Sequence, residues 1–403
     1  MNAAPPLSLL HRLWRRFPAE RRRRLFARLT AAFAPRPDRP APPVSNGIAI
    51  IGELSRPSGL GEMARQIRAA FEALAIPTWS IDTETRETPD IPPGIPLLFV
   101  VNAPMLPYTL LRLPRRLLRG RRVIAYWAWE LPAVPDIWRP GPRFVHDIWT
   151  ISRFTADAIA TLLPPGATPP RVVPIPVAIT PPRPSPKSRV DFALPAGAVV
   201  VLTSFSLASS RVRKNPDGAI AAFKRAFGPR PDRILVLKIG NPSHFPADFA
   251  ALQATIADAP NIRLLAETLS MPDTHALTAC ADIVLSLHRS EGFGLVPAEA
   301  MLLGRPVIAT AWSGNLDFMD ETSAALVPCT LIPARDPRGV FEAPGAVWAE
   351  PDTDAAAAHL VRLADDPAER TALGERGRRM AQARLGLAPV RAAVEALGLV
   401  VAP

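Results

Sequence analysis

The sequence is poor in cysteine and has no long hydrophobic run, and each shortage excludes a class of protein. Among 403 residues there are only two cysteines, Cys280 and Cys329, too few for a disulfide framework or a zinc site. No uninterrupted apolar run approaches the ~18–20 residues that span a bilayer. The short apolar patch near the start is followed by arginines and not by a small-residue cleavage site, so a secretory signal is not predicted. We therefore expect a folded cytoplasmic protein.

Positive charge is concentrated at one end of the chain. Residues 1–40 contain ten arginines and two acids, so they carry +8 of the net charge of +11. Leucine, tryptophan and phenylalanine are interleaved with these arginines, a mixture that can lie on an anionic membrane surface. A poorly ordered basic tail explains the composition equally well, because Pro18 interrupts the helical pattern. Nucleic-acid binding is not expected, since the rest of the chain adds no basic stripe.

Proline-rich stretches divide the chain into an arm and two larger parts. Residues 1–46 form the basic arm and a linker, and a second proline-rich segment places a domain boundary near residue 190. In residues 47–190 and again in residues 191–403, apolar strands alternate with helices, a pattern typical of parallel sheets covered on both faces. The last helices, roughly 353–398, are expected to close the second domain and return toward the first. The predicted fold class is α/β, with two doubly wound, Rossmann-like domains and a cleft between them.

Two glutamates stand out between a strand-like run and a helix-like run in the second domain. Glu291 begins the loop "EGFG", and Glu299 lies eight residues later, about two turns further along and inside the helix "LVPAEAMLLG". Backbone N–H groups at a helix start favour oxygen-rich or anionic ligands, and the glycines allow the main chain to approach such a ligand closely. Carboxylates at these two positions can accept hydrogen bonds from sugar hydroxyls on separate parts of one extended ligand. Ordinary glutamates on a surface helix are the competing interpretation.

A second glycine-containing loop, "SRPSGLGEMAR", follows the first strand. Its Gly59 and Gly61 permit a tight backbone near phosphate or acceptor. The loop lacks the G-x-G-x-x-G pattern of dinucleotide-binding proteins, so a nicotinamide cofactor is disfavoured. An ordinary strand-to-helix turn explains the same residues.

The string "HRSEGFGLVPAEAMLLGRPVIATAWSGNLDFM" closely resembles the donor-binding region of family 4 (group 1) glycosyltransferases, which have the GT-B fold. Upstream, "RVRKNPDGAIAAFKRAF" resembles the helix entry "RKNP" of that family, and "WTISRF" in the first domain adds to the match. The resemblance spans roughly residues 47–330 and is strongest in 211–320. It implies two Rossmann-like domains that face a central cleft.

Position by position, the resemblance implies a role for each matching residue. Glu291 contacts the transferred sugar, Glu299 binds the ribose hydroxyls, and Lys214 stabilises the leaving diphosphate; Glu291 and Lys214 are thus the implied catalytic pair. The other implied donor-binding residues are Arg213, Gly292, Phe293, Gly294 and Leu295. No metal is implied, because a lysine at a helix entrance can stabilise the leaving charge. No cofactor is implied either, since the nucleotide sugar is a substrate.

The chain departs from the family pattern at two places. Ala208 and Ser209 stand where many relatives have an arginine, which leaves Arg211 and Lys238 as further candidates for the diphosphate contact. The strand that often ends in a histidine here reads "AYWAWELPAVP", without one. His146 lies nearby and is interpreted as structural. The tryptophans of that strand, Trp127 and Trp129, fit packing better than stacking on acceptor sugars.

The leading hypothesis is a retaining, metal-independent hexosyltransferase that uses a nucleotide sugar with a mannose-like or glucose-like group. Its acceptor is expected to be a saccharide or a lipid-linked saccharide, in cell-surface polysaccharide synthesis. The basic arm would hold the enzyme at the inner face of the membrane as a peripheral protein. Two alternatives remain: a non-catalytic saccharide- or nucleotide-binding protein that kept the fold, and a nicotinamide-dependent oxidoreductase. The sequence leaves open the choice between UDP and GDP donors.

Overall fold

The computed structural model describes residues 18–85 and 87–401, and the first of its two large sheets lies in the N-terminal half. Its strands are β1 (Ile48–Gly52), β2 (Thr78–Asp82), β3 (Leu97–Val100), β4 (Val123–Trp127), β5 (Asp147–Thr150) and β6 (Arg171–Val172). They pair in parallel in the order β2-β1-β3-β4-β5-β6. All five residues of β1 are buried, as expected for a strand covered on both faces.

Within residues 18–85 and 87–401, the first domain has four helices: α1 (Ala19–Phe33), α2 (Gly59–Ala73), α3 (Leu106–Arg112) and α4 (Arg153–Ala160). Ser152 is a residue type that favours the start of a helix, and it caps α4: its hydroxyl accepts a hydrogen bond from the Thr155 N–H at 3.1 Å. Helix α1 belongs to the basic arm and packs on α3, where the rings of Phe26 and Tyr108 lie 5.2 Å apart. The described part of the arm is therefore docked on the first domain and is not a loose tail.

The second domain repeats this architecture. Its strands are β7 (Val199–Ser206), β8 (Arg233–Gly240), β9 (Ile262–Leu265), β10 (Ile283–Ser286), β11 (Val307–Thr310) and β12 (Ala325–Val327). They form a parallel sheet in the order β12-β11-β10-β7-β8-β9. The predicted α/β class with two Rossmann-like sheets is thereby confirmed.

The helices of the second domain begin with clear local signals. They are α5 (Arg211–Lys214), α6 (Pro216–Phe227), α7 (Pro246–Thr255), α8 (Met271–Cys280), α9 (Leu295–Leu302), α10 (Thr353–Asp365), α11 (Pro367–Arg384) and α12 (Ala388–Ala396). Pro216 occupies the first turn of α6, as the sequence predicts, and the Asn215 side chain caps that helix by accepting from the Gly218 N–H at 3.1 Å. Short 3-10 turns are found at Arg115–Leu117, Asp136–Trp138, Gly141–Phe144, Val190–Phe192, Leu207–Ser209, Pro242–His244 and Gly314–Asp317.

An antiparallel hairpin interrupts the second domain after β12. It consists of β13 (Cys329–Pro333) and β14 (Val347–Pro351), and residues 334–346 join the two strands. After it, α10 packs on α6, α11 packs on α9, and α12 contacts α2 of the first domain. The two large sheets occupy 48–172 and 199–327, on either side of the boundary predicted near residue 190, while α12 lies against the first domain.

One apolar run reads in the sequence as the last strand before the second proline-rich segment, and this prediction is largely wrong. The run "RVVPIPVAI", residues 171–179, pairs with its neighbour only through the two residues of β6. Pro174 and Pro176 lack the backbone N–H that a continuing ladder requires, so the run leaves the sheet after two residues. The rest of it crosses from one domain toward the other.

Candidate active site

The two sheets face each other across a cleft with a cavity of about 540 Å³. The domains touch at its edge, where the Ser152 hydroxyl donates to the Gly292 carbonyl at 2.6 Å and the Arg153 N–H donates to the Asp317 carboxylate at 2.7 Å. One hydrophobic cluster contains residues of both domains, among them Ile151 and Phe293. The cavity therefore has walls from both domains, as the sequence predicts for a two-domain α/β protein.

Most of the predicted site residues line this cavity. They are Gly59, Arg213, Lys214, Glu291, Gly292, Phe293, Gly294 and Leu295. Gly61 lies beneath the loop and Glu299 lies deeper along α9, so neither lines the cavity itself. The structure thus brings together residues that are about 80 positions apart in the second domain.

Glu291 is held between two cations. Its carboxylate accepts hydrogen bonds from the Lys214 ammonium and, at 3.2 Å, from the Arg213 guanidinium. The Arg213 side chain is 3% exposed and also donates to the Ser290 carbonyl at 2.7 Å. Both cations sit on α5, the short helix directly before the Pro216 helix entry, so their direction is fixed by two successive caps.

The ionisation of this cluster follows from its burial and its charges. Burial alone would raise the pKa of Glu291, but Lys214 and Arg213 outweigh it and lower that pKa to about 2. Burial lowers the pKa of Lys214, with Arg213 acting in the same direction and Glu291 opposing it. At neutral pH the glutamate is an ionised hydrogen-bond acceptor, and the two cations together carry more positive charge than it neutralises.

The loop after Glu291 needs its glycines because it is pressed between two segments of chain. A Cβ on Gly292 would lie 2.6 Å from the Trp129 carbonyl oxygen, and a Cβ on Gly314 would lie 2.0 Å from the Gly292 carbonyl oxygen. Gly294 has a φ of +101°, in the region that favours glycine, and directly precedes α9. Side chains are therefore kept away from the loop, whose main chain forms the floor of the cavity.

Glu299 is in a different electrostatic setting from Glu291. Burial raises its pKa to about 8, and the neighbouring Glu62 of α2 acts in the same direction. The structure therefore places a carboxyl group that is protonated over much of the neutral range at the junction of α9 and α2. Such a group can both donate to and accept from a pair of hydroxyls.

The glycine loop of the first domain divides into two roles. A Cβ on Gly61 would lie 2.3 Å from the Arg56 carbonyl oxygen, so Gly61 allows the loop to fold tightly on itself. A Cβ on Gly59 would meet nothing within 4 Å, and Gly59 lines the cavity. Ser58 caps α2 by accepting from the Gly61 N–H at 3.0 Å. Gly61 therefore serves the turn, whereas Gly59 borders the cavity with open space beside it, and its approach to a ligand stays a prediction.

The structure separates several candidates that the sequence leaves open by showing which of them border the cavity. Arg211 is paired with the Asp217 carboxylate at 2.6 Å and does not line the cavity, whereas Lys238 does. His146 is structural, as predicted, because its Nδ1 accepts from the Val123 N–H at 2.8 Å. Trp127 is fully buried and cannot stack on an acceptor, which overturns the weaker of its two interpretations.

Sequence reasoning did not assign three residues of the cavity wall. Glu130 lies at the carboxyl end of β4, 4.0 Å from the Arg213 guanidinium, and burial raises its pKa. Val340 and Phe341 come from the hairpin loop. Glu130 carried a signal, since it follows a buried strand at the sheet edge where ligands bind. The hairpin loop carried none, because no local pattern shows where such a loop docks.

Within the described residues, no group of three or more His, Cys, Asp or Glu side chains is arranged to hold a metal ion. In the same part of the chain, no helix is both long and apolar enough to cross a bilayer.

Part of the second domain matches a known protein family. Residues 199–366 match the family model described as glycosyl transferases group 1. D-inositol 3-phosphate glycosyltransferase of Kineococcus radiotolerans is 29% identical over 230 residues, which cover 54% of this chain and 49% of the relative. The match thus spans about half the length of that relative.

Solved structures extend the similarity over both domains. HepE of Anabaena, in complex with UDP and glucose, superimposes with a TM-score of 0.62 at 15% identity, covering 88% of this chain and 100% of that one. Sucrose-phosphate synthase of Thermosynechococcus elongatus superimposes with a TM-score of 0.62 at 18% identity, covering 88% and 98%. At these identities the likeness shows the fold, which is GT-B.

Proposed function

Because residues 199–366 match the group 1 glycosyltransferases and the chain has the GT-B fold, we propose that this protein is a retaining, metal-independent hexosyltransferase. It moves a glucose-like or mannose-like group from a nucleotide sugar to a saccharide or lipid-linked saccharide, in cell-surface polysaccharide synthesis. The observation that carries the proposal is the buried Glu291 between Arg213 and Lys214, at the loop that forms the cavity floor. A protein that had kept only the fold would have no need of a buried Arg213 and a partly buried Lys214, 20% exposed, around that carboxylate.

The proposed donor pose follows from the chemistry of each group. The diphosphate lies on Lys214 and Arg213, whose two positive charges exceed the one negative charge of Glu291. Glu130 lies 4.0 Å from Arg213, but burial raises its pKa and so favours its neutral form. Glu291, ionised at neutral pH, accepts from hydroxyls of the transferred sugar, and Glu299 contacts the ribose. The glycine loop then lies along the diphosphate, where no side chain obstructs it.

The proposed reaction needs little from the protein beyond binding and charge stabilisation. The bond between the anomeric carbon and the diphosphate oxygen breaks, its electron pair stays on the diphosphate, and the acceptor oxygen bonds to that carbon on the same face. The acceptor proton passes to the leaving diphosphate. Lys214 and Arg213 stabilise the charge that grows on the leaving group, which is the task a metal would otherwise perform.

A ligand panel tests this proposal. HepE was crystallised with UDP and glucose, so UDP and UDP-glucose are the first ligands, followed by GDP and its conjugates. A true donor at ~100 times its Kd should raise the free energy of unfolding by about 2.7 kcal/mol. Lys214→Ala should weaken this stabilisation, whereas Arg211→Ala, a neighbouring cation outside the cavity, should not. If no nucleotide in the panel stabilised the protein, the proposal would be refuted.

The outward face of α1 supports a peripheral position on the membrane. Leu25, Leu29 and Phe33 are spaced by four residues and are 45%, 49% and 69% exposed. Ala27, Thr30 and Ala34, on the opposite face, are buried against the first domain. We propose that the exposed stripe enters the interface of an anionic membrane.

Arginines surround this stripe and favour an anionic partner. On α1, Arg21 and Arg28 are exposed. Leu111 of the adjoining helix α3 is 41% exposed, and Arg115, Arg116 and Arg119, which follow that helix in sequence, are exposed as well. Apolar side chains flanked by arginine match the interface and headgroups of an anionic bilayer. This placement supports a lipid-linked acceptor and the inner membrane face as the location.

Vesicle co-sedimentation tests the membrane proposal. The triple variant Leu25→Ser, Leu29→Ser, Phe33→Ser should lose binding to anionic vesicles at low salt while keeping nucleotide affinity. A control with Val190→Ser, which is 85% exposed elsewhere, should bind like the wild type. Wild-type protein that stays in the supernatant at low salt would refute the membrane role and make a soluble saccharide the proposed acceptor.

A further inference from the structure

The loop that joins β13 and β14, residues 334–346, covers one side of the cavity, and we refer to it as the cover loop. Its Val340 and Phe341 line the cavity together with residues of both domains. Phe341 is 8% exposed although it lies in a loop, so it is packed and not merely nearby. The cover loop is therefore a third wall of the proposed donor site.

One buried carboxylate ties the cover loop to the helix that carries both cations. Asp336 is 2% exposed, and its carboxylate accepts from the Ser210 hydroxyl at 3.0 Å and from the N–H groups of Val340 and Phe341 at 3.0 and 3.2 Å. Ser210 in turn caps α5, where it accepts from the Arg213 N–H at 3.4 Å. Asp336 thus fixes the tip of the loop and the start of α5 at the same point.

Phe341 makes a second connection, between the two domains. Its ring lies 5.9 Å from the Trp129 ring at an interplanar angle of 28°, and the Arg213 guanidinium lies 4.6 Å from its centroid. A guanidinium over an aromatic face is attracted by the ring quadrupole, more strongly where water is excluded. The ring therefore holds Arg213 in the direction of Glu291 while it rests on the first domain.

Further bonds hold the flanks of the loop. The Arg338 guanidinium donates to the Leu207 carbonyl at 2.7 Å, and Arg23 of α1 donates to the Gly339 carbonyl at 3.2 Å. The loop thus contacts both domains and the arm. The cover loop is therefore fixed over the cavity by contacts with several parts of the chain.

We propose that Asp336 and Phe341 are positioning residues for sugar transfer, an inference that rests on the proposed function. They hold Arg213 and α5 against Glu291, and Phe341 keeps water from the anomeric carbon. Without the cover, water competes with the acceptor. The water oxygen bonds to the anomeric carbon as the bond from that carbon to the diphosphate oxygen breaks, one water proton passes to the leaving diphosphate, and free sugar results. A nucleotide sugar whose transfer competes with hydrolysis in this way needs such a wall.

Two variants and two controls separate this role from a purely structural one. Phe341→Leu removes the ring. Asp336→Asn removes the negative charge of the carboxylate that accepts hydrogen bonds from the two loop N–H groups. Phe341→Tyr keeps the ring, and Glu342→Gln changes an exposed acid on the same loop. Circular dichroism and thermal unfolding identify any variant that fails to fold. If Phe341→Leu fails to fold, Asp336→Asn is tested in its place, and if Asp336→Asn fails, Phe341→Leu is used.

The assay follows both fates of the donor, with UDP-glucose as the first probe. Phe341→Leu should lower kcat for transfer by about 10-fold or more and raise the ratio of hydrolysis to transfer, with UDP affinity within about 2-fold of wild type. Phe341→Tyr and Glu342→Gln should partition the donor like the wild type. An unchanged partition ratio and kcat in Phe341→Leu would overturn the inference.

Hydrogen exchange tests the Asp336 anchor without turnover. The amides of Val340 and Phe341 should exchange faster in Asp336→Asn than in the wild type, and equal exchange would overturn the anchor. An active wild type whose variants behave identically refutes this inference alone. A wild type that binds no nucleotide refutes the proposed function as well.

Discussion

Replacing Glu291 by glutamine tests the electrostatic description of the site, because the change keeps the shape and removes one charge. In the folded wild type the pKa of Glu291 is about 2, whereas an ordinary glutamate has a pKa of 4.5, so the folded structure lowers it by roughly 2.5. At about 1.4 kcal/mol per unit, ionised Glu291 contributes about 3 kcal/mol to the free energy of unfolding at neutral pH. We expect Glu291→Gln to lose a free energy of this order, since the buried Arg213 and the partly buried Lys214 remain without their counter-charge.

The sign of the pH dependence follows from the lowered pKa. A carboxyl group with a depressed pKa in the folded state stabilises the protein above its unfolded pKa, and this contribution disappears as the pH falls toward 2. The gap between wild type and Glu291→Gln should therefore be full above pH 5 and shrink progressively toward pH 3. Urea unfolding of both proteins across this range measures the gap.

The same variant makes a prediction for ligands. UDP brings negative charge to cations that Glu291→Gln leaves uncompensated, so the variant should bind UDP at least as tightly as the wild type. It should lose the additional affinity that the sugar of UDP-glucose provides. Glu350→Gln is the matched control, because Glu350 pairs with Arg289 at 2.7 Å while 38% exposed, where a pair contributes about 0–1 kcal/mol. Equal stability of Glu291→Gln and wild type at pH 7, or a gap independent of pH, would refute the reasoning.

Two further predictions concern the other carboxyl group and the first glycine loop. Because the pKa of Glu299 is raised, the cost of ionising it destabilises the folded state as the pH rises from about 4.5 through 8. Glu299→Gln should therefore be more stable than the wild type at pH 9, by up to about 5 kcal/mol. At pH 4 the two proteins should be nearly equal in stability. Thermal melts at both pH values check this, and a constant difference would contradict it. Gly61→Ala should cost about 2 kcal/mol or more, because its Cβ would meet the Arg56 carbonyl oxygen at 2.3 Å, whereas Gly59→Ala should stay within about 0.5 kcal/mol. Similar urea midpoints for the two alanine variants would show that the loop adjusts freely.

The sequence predicts the fold and much of the candidate site because both are carried by local patterns. Alternating apolar strands and helices indicate two parallel sheets, and the GT-B fold is confirmed. The position of Glu291 after a buried strand and before a helix places it at the carboxyl edge, where the structure finds it. The roles assigned to Glu291, Glu299 and Lys214 stay predictions until ligands are bound.

The remainder of the site depends on contacts that no local pattern encodes. The Asp336 carboxylate meets Ser210 across 126 positions of sequence, and nothing in "PARDPRGVFEAPG" marks that loop as a wall of the cavity. Trp127 and Trp129 illustrate the same limit: alternate residues of one stretch look equivalent, yet only Trp129 lines the cavity. The exit from the sheet after β6, in contrast, has a local cause, because Pro174 and Pro176 lack the backbone N–H groups that a continuing strand requires.

The most direct test of the central claim is transfer itself, followed by proton magnetic resonance with UDP-glucose and a saccharide or lipid-linked acceptor in the presence of a metal chelator. The account predicts acceptor-dependent release of UDP and a new glycosidic bond with the α configuration of the donor, abolished by Lys214→Ala and preserved in Arg211→Ala. A β-linked product would contradict the retaining mechanism, and loss of activity on chelation would contradict metal independence. A Lys214→Ala variant that transfers as fast as the wild type would contradict the proposed role of Lys214 in stabilising the leaving diphosphate.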